Sequence, residues 1–452
     1  MRKLFLIVAI FGSTGIVNGQ NSFNAIKTSN RGGILTTLVN PADLAGMPQK
    51  FDLNLIGFDM NISNNVINFT SNELGKSDDI KNRFLNTSTP VGFNMRVDAD
   101  VIGPSLAIAI NKKTTIGIIT RGRVYINMNN IDVALAKSLI DGTVSNNLTL
   151  PYISPNINNM SLNMLGWAEI GLTGSREIFK DKNNSLKIGG TVKALFSGLY
   201  ANVYMNNLSF SLDKNSSNRV MINNASGQMG VEYNGSGDPT NNISSNLVGG
   251  PTGVAFDAGI SYQILDKKPG QYKLKIGASL LDIGSMKFSL NSTNSRQFIL
   301  NPGPHDPAKI QLSSMDEFIA SVKTNNVANE IAADSNILVK LPMAFNFQAD
   351  IKVWQPIFLT INLNRRATSS DDPRSLQALN YLTITPRIVS KFIEVYVPFT
   401  FAEIQGTTAG AGFKLGPLYA GSSSIISALT SNNNKAIDVH FGIRAGFGKR
   451  FK

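Results

Sequence analysis

Ile337-Leu338-Val339-Lys340-Leu341-Pro342-Met343-Ala344-Phe345-Asn346-Phe347-Gln348-Ala349-Asp350-Ile351-Lys352-Val353 alternates apolar and polar residues along most of its length. Its odd positions are apolar throughout, whereas the even ones include Lys340, Asn346, Gln348, Asp350 and Lys352. Successive side chains of a strand point to opposite faces, so this segment predicts a strand with one greasy and one wet face. The pattern recurs from about Phe51 to the end of the chain, too often for a single half-buried strand. It predicts an all-β fold: a transmembrane antiparallel β-barrel, apolar toward lipid and polar toward a lumen.

Other segments keep the same rule. Val91, Phe93, Met95, Val97, Ala99 and Val101 oppose Asn94, Arg96, Asp98 and Asp100. Ile116, Ile118, Val124, Ile126 and Met128 oppose Arg121, Arg123, Tyr125 and Asn127, with Ile119 out of step. Val254, Phe256, Ala258, Ile260, Tyr262 and Ile264 oppose Asp257, Ser261 and Gln263, and Ile393, Val395, Val397, Phe399 and Phe401 oppose Glu394, Tyr396 and Thr400. Last comes Ile437, Val439, Phe441, Ile443, Ala445 and Phe447 against Asp438, His440 and Arg444. A helix repeats every 3.6 residues and cannot hold one parity for so long. Spacing predicts about 14 strands, within a range of about 12 to 18, and bacterial single-chain barrels are normally even-numbered.

Composition agrees. Charged residues make up 16% of the 452, below the roughly 25% of an average soluble domain, as a lipid-facing surface requires. No apolar run beyond the first residues is long enough for a membrane-spanning helix. Arg2 and Lys3, then the apolar Leu4 to Phe11, then Val17-Asn18-Gly19 form a signal-peptide pattern over residues 1–19. Export and a barrel together predict the bacterial outer membrane, with its lipid as the surrounding partner. Residues 20–50 read as an N-terminal plug or periplasmic segment, and residues 51–452 as the barrel. Two inserts have helical spacing, at Ile131 to Ile140 and from Ser314 to about Lys323, the second opened by Ser314 and Glu317 in capping-box register. They either cover apolar barrel surface or gate the mouth.

Several chemistries find no support. Cysteine is absent, which excludes disulfides, thiolate metal sites and a lipidated N-terminal cysteine. The only histidines are His305 and His440, and no metal-ligand or phosphate-loop spacing surrounds either, so no catalytic residue, metal or cofactor is expected. The net charge of +12 is scattered along strands and loops, which argues against nucleic acid as a partner. Candidate site residues are instead the charges with lumen parity: Arg96, Asp98, Asp100, Arg121, Arg123, Glu394, Asp438, His440 and Arg444. They either brace the barrel as internal salt bridges or line a path on which arginines meet an anionic group.

Asn40-Pro41-Ala42, lying between a signal peptide and the first strand, resembles the N-terminal signature of the long-chain fatty acid transporter superfamily. A related branch comprises barrels associated with type IX secretion and gliding motility. Leu281-Asp282-Ile283-Gly284, the strand-opening Gly103-Pro104, and Gly412-Phe413-Lys414-Leu415-Gly416-Pro417 resemble a large family of predicted outer-membrane barrels without assigned function. The resemblance implies a 14-stranded barrel with an N-terminal plug and export through the periplasm. It does not settle the cargo, but together with the plug-like segment and the inward Arg121 and Arg123 it leads to the expectation of a passive transporter of small amphipathic or hydrophobic molecules, or alternatively of a structural or assembly subunit of a secretion or motility apparatus. His440, Gly442, Ala445 and Phe447, with Phe451 penultimate before Lys452, resemble the C-terminal signal of the barrel-assembly machinery.

Overall fold

In the computed structural model, which describes residues 24–69, 77–86, 92–141, 149–234, 249–267, 271–290, 294–368, 372–390 and 392–449, antiparallel strands close into a ring. The signal-like stretch 1–19, Val91, Phe451 and Lys452 lie outside the described residues. The strands run in chain order as β1 (Gln49–Asn64), β2 (Phe93–Ile102), β3 (Ser105–Ala109), β4 (Thr114–Ile131), β5 (Tyr152–Ile153), β6 (Met160–Lys180) and β7 (Asn184–Lys214). Next come β8 (Val220–Tyr233), β9 (Pro251–Leu265), β10 (Tyr272–Ser289), β11 (Ser295–Leu300), β12 (Ala328–Ile331), β13 (Asn336–Lys340), β14 (Ala344–Trp354) and β15 (Ile357–Arg366). The circuit finishes with β16 (Tyr381–Val389), β17 (Ile393–Tyr396), β18 (Phe399–Ala402), β19 (Gly406–Ala409), β20 (Ala411–Leu415), β21 (Leu418–Ser422) and β22 (Ala436–Lys449).

Where a stave is interrupted, two strands share it: β2 with β3, β13 with β14, β17 with β18, and β19 with β20. Counted that way, 14 staves form the wall. β22 pairs with β1 from Gln49↔Lys449 to Ser63↔Ala436, and the rings of Phe51 and Phe447 stack at 5.5 Å across the outside of this seam. Sequence segments 185–196 and 199–212 are one strand, β7. Its first half pairs with β9 in the wall. Its second half stays paired with β6 on one side as far as Met205 and on the other side carries a flap of β8, β11 and β12.

The outer surface has two zones. Toward the short turns, Ile116, Leu172, Val192, Phe256, Phe345, Val395, Phe413 and Phe441 are exposed, one apolar side chain after another around the ring, as lipid contact demands. Toward the long loops, Met60, Val97, Ile126, Met164 and Val231 have the same outward parity but are buried. They pack in one cluster with Ile319 and Val322 of the helix Met315–Thr324 and with Phe84 of the helix Ser77–Asn86. These helices cover apolar wall that water would otherwise meet. Ser314 caps the first of them, its Oγ accepting from the Glu317 amide at 3.2 Å. The helix Val133–Asp141 packs on a neighbouring cluster with Phe210 and Ile222.

One expectation of parity fails. Phe345, Phe347, Ile351 and Val353 face outward as predicted, but Ile337, Val339 and Leu341 are buried inside. They join Met286, Phe288, Tyr125, Trp167 and Leu376 in an interior cluster. A β-bulge is the reason. Between Leu280 and Ile283, β10 carries one more residue than its partner β9, and the break Leu341-Pro342-Met343 accompanies it on the adjoining stave. One inserted residue sends every later side chain to the other face.

Candidate functional site

The segment from Asn24 to Met47 lies inside the ring as a helical turn, Asn24–Lys27, and two 3-10 turns, Gly33–Leu38 and Pro41–Gly46. It makes no strand with the wall; side chains hold it. Asn40 caps the second 3-10 turn, its Oδ1 accepting from the Ala42 amide at 3.0 Å, while its Nδ2 donates to the Ile260 carbonyl at 2.9 Å. Proline at the first position of that turn has its φ preset and no amide to satisfy. The wall beneath Asn40-Pro41-Ala42 is glycine on three adjacent strands: Gly189, Gly259 and Gly277. A Cβ at Gly259 would stand 2.1 Å from Asn40 Oδ1, one at Gly277 2.6 Å from Asn40 Nδ2, and one at Gly189 2.5 Å from the Pro41 carbonyl carbon. Any side chain there displaces the plug.

Polar pairs fasten the rest. Asp43 receives Lys275 Nζ at 2.8 Å and also the Gln348 amide. Burial pushes the Asp43 carboxyl up, but the Lys275 ammonium outweighs it and holds the group below the usual carboxylate range. Arg387 donates to the Ala25 carbonyl at 2.9 Å and to Thr28 Oγ1 at 3.1 Å, and it pairs with Glu394, which accepts from Ser29 Oγ at 2.8 Å. Arg444 bridges Asp52 and the Arg31 carbonyl, while Asp52 also accepts from the Ile34 amide at 2.9 Å. Gly33, beside this bridge, has φ +54, and a Cβ on it would stand 1.8 Å from Arg444 Nη1. Ile119, the residue out of step in its strand, lies on the inner face and packs with Ile34, Leu44 and Met47 of the plug.

Above the plug lies a ring of buried charge. Arg121 pairs with Asp100 and reaches Glu169 at 3.4 Å; Arg123 lies 2.8 Å from Asp282; Lys193 lies 2.7 Å from Asp282 and 2.8 Å from Asp257. Arg96 pairs with Asp98 at 2.5 Å. The Arg123 guanidinium also lies over Trp167 and Tyr125, at 4.6 and 4.9 Å from the ring centres. Asp282 enters the ring through the bulge in β10, where it adopts φ +57. Left-handed backbone is tolerated by Asn and Asp better than by most residues, which accounts for an acidic residue there. Gly284, two residues on, lies so close to β9 that a Cβ would stand 2.4 Å from the Val254 carbonyl oxygen. Lys27 brings a plug charge to the same region; burial first, then Arg121, lowers its ammonium to about 8.

The sequence candidates thus fall into three places. Arg96, Asp98, Asp100, Arg121 and Arg123 stand in the charge ring. Glu394 and Arg444 hold the plug. Asp438 accepts from the Ser423 amide and from Ser422 Oγ at 3.0 Å, fixing the loop before β22, and His440 Nε2 hydrogen-bonds the Tyr396 hydroxyl at 2.6 Å. Reading the sequence missed Glu169, Lys193 and Lys275, although their inward parity was available. It also missed Asp52 and Arg387 as plug holders, and Asp282 as a bridge, because no periodicity announces a bulge.

Among the described residues, two cavities stand out within the barrel. The inner one, about 100 Å³, lies between plug and charge ring and is lined by Lys27, Val39, Arg121, Asp282 and Asn346 among others. The outer one, about 280 Å³, opens toward the long loops, and asparagines are its most frequent lining residue. Arg96 and Ala378 border both. The segment Asp372–Asn380 folds inward between them and over the mouth, with Arg96 donating to the Gln377 carbonyl and Arg374 gripping Glu232 through two hydrogen bonds of 2.8 and 2.6 Å.

Fold and site together define a transmembrane β-barrel of the outer-membrane kind, closed from within by its own N-terminal segment. The chain belongs to the family of unknown function DUF5723, whose model matches residues 41–423. No curated protein matches the sequence. Among solved structures it is similar to a deletion mutant of the monoaromatic hydrocarbon channel TodX, at 8% identity over 91% of this chain and 92% of that one, with a TM-score of 0.42. The P. putida toluene transporter TodX is 8% identical over 92% and 95% of the two chains, with a TM-score of 0.37. The translocator domain of the autotransporter NalP from Neisseria meningitidis is 7% identical over 88% of each, with a TM-score of 0.33.

Proposed function

We propose that this protein is a passive channel for small molecules in the bacterial outer membrane, exported by a cleaved signal peptide and opened by movement of its plug. The observation that carries the reading is the plug itself. It fills the lumen of a closed ring, yet side-chain contacts rather than strand pairing hold it, so it can leave without breaking the wall. The paired charges around the lumen line a path and stabilise the closed state at once. An amphipathic cargo was expected, and both cavities have mixed linings in which polar groups outweigh apolar ones, so a cargo with a polar surface fits them better than a bare hydrocarbon chain does.

Insertion would rest on the barrel-assembly machinery reading β22, the strand that closes the ring on β1. A second reading, a subunit of a secretion or motility apparatus, draws on the flap formed by β8, β11 and β12, whose last strand pairs on one side only. Solute flux into liposomes decides between them. Wild-type protein should pass small solutes slowly and Gly259→Val, which lifts Asn40, should pass them faster. If both behave like empty liposomes although correctly folded, the channel reading falls and the subunit reading takes its place.

A further inference from the structure

The outer cavity has an unusual lining. Asn65, Asn94, Asn127, Asn129, Asn130 and Asn159 all contribute to it, along with Gln377, Arg366 and Glu403. Its charges are already engaged: Arg96 with Asp98, and Arg366 with the Gln377 side chain and with Glu403 at 3.8 Å. The amides are not all engaged. Asn127, which lines the cavity, stands directly opposite Asn163 on β6, which stands opposite Asn202 on β7, so an inward row of three amides starts at the cavity and continues into the neighbouring strands outside its lining. All three side chains are buried, and the Oδ1 of each has no hydrogen-bond partner among the described residues. A buried acceptor left without a donor costs about 1–3 kcal/mol, so a donor-bearing occupant is favoured.

The surroundings restrict what that occupant is. A cation would supply donors but would meet Arg96 and Arg366. An anion would meet orphaned carbonyl oxygens, while the arginines that could attract it are already paired. An apolar chain would leave the amides unsatisfied. Hydroxyl groups both donate and accept, and side-chain amides offer both functions side by side. The volume, about 280 Å³, lies near the lower end of the roughly 300–1,000 Å³ typical of small-molecule pockets, which suits one sugar ring rather than a chain of them.

We propose that this vestibule is a binding site for a neutral polyhydroxylated molecule of monosaccharide size, recognised by Asn127, whose Oδ1 is unsatisfied, together with the asparagines beside it in the lining. The proposal deepens the channel reading by naming the class of solute that enters, and it rests on that reading for its physiological role. Binding, however, can be measured without transport.

The test is calorimetric titration of the full mature chain, purified in an amine-oxide detergent to keep sugar headgroups out, with glucose and galactose, and with glucuronate and octanoate as contrasts. Saturable binding of a neutral sugar is expected, weakened at least tenfold in Asn127→Leu. Glucuronate should bind no tighter, and octanoate should not compete. Heat-modifiable gel mobility establishes that each variant is folded, and Asn127→Asp, nearly isosteric, guards against a packing artefact by retaining part of the affinity. No saturable binding of either neutral sugar overturns the proposal, as does unchanged binding by folded Asn127→Leu, or tighter binding of glucuronate. Sugar binding without liposome flux would refute the channel reading and leave this site standing; flux without sugar binding would do the reverse.

Discussion

Asp282 shows how much one residue contributes here. Its backbone makes the bulge that reverses β10, and its carboxylate is shared by Arg123 and Lys193. Removing one partner from a buried ion pair leaves an uncompensated charge, at about 3–5 kcal/mol. Asp282→Ala is therefore expected to lower the unfolding free energy of the barrel, measured by urea titration in lipid vesicles, by that order, while Asp282→Asn, which tolerates the left-handed backbone and still hydrogen-bonds, should lose less. Equal losses would mean that the charge rather than the backbone matters. Glycine is as informative at Gly412 and Gly442. A Cβ there would stand 2.3 Å from the Tyr396 ring and 2.2 Å from the Tyr419 hydroxyl. These tyrosines lie across from the glycines in the ladder, and each covers its neighbour's bare backbone.

For the elements, alternation predicts which face meets lipid, and the prediction is quantitative. Phe345 is 45% exposed on the outer surface of β14, so Phe345→Arg should cost about 2–4 kcal/mol near the bilayer midplane and reduce the heat-modifiable folded fraction. Asn364→Arg, on β15 and lining the inner cavity, should be much milder. The same alternation misleads at Ile337 to Leu341. There the apolar parity continues in the sequence while the strand has turned over at the bulge, because apolar residues suit the interior cluster as well as they suit lipid. Ile119 is the converse case. The one apolar residue on the polar parity of its strand marks the seat of the plug, legible as an exception but without its meaning.

At the scale of the whole molecule, the ring and the plug are separable. β1 to β22 close by their own backbone ladder, so deleting residues 24–47 should leave a folded, heat-modifiable barrel. Solute flux into liposomes should rise by about tenfold or more, which corresponds to a barrier lowered by about 1.4 kcal/mol. A deletion that folds and conducts no faster would place the constriction in the charge ring and the inward segment Asp372–Asn380 instead. The Arg374–Glu232 clamp makes that alternative testable: Glu232→Gln should loosen the segment and raise flux on its own.

The all-β class, the closed barrel, the 14 staves and the inward place of most charges follow from period-2 alternation, since lipid outside and a polar lumen inside impose opposite demands on neighbouring residues. The helices Val133–Asp141 and Met315–Thr324 are legible too, from their spacing and the Ser314 cap, whereas the covering helix Ser77–Asn86 is not. What tertiary structure alone decides is which inward groups meet. Asn40-Pro41-Ala42 finds Gly189, Gly259 and Gly277 only once distant strands lie side by side, and Asp282 reaches Lys193 only through a bulge. The asparagines of the vestibule, Asn94 on β2 and Asn127 and Asn129 on β4 among them, come together only because β2 and β4 lie side by side in register. Alternation specifies a residue's face, but ring closure and bulges set its height and neighbours, and the site is made of those neighbours.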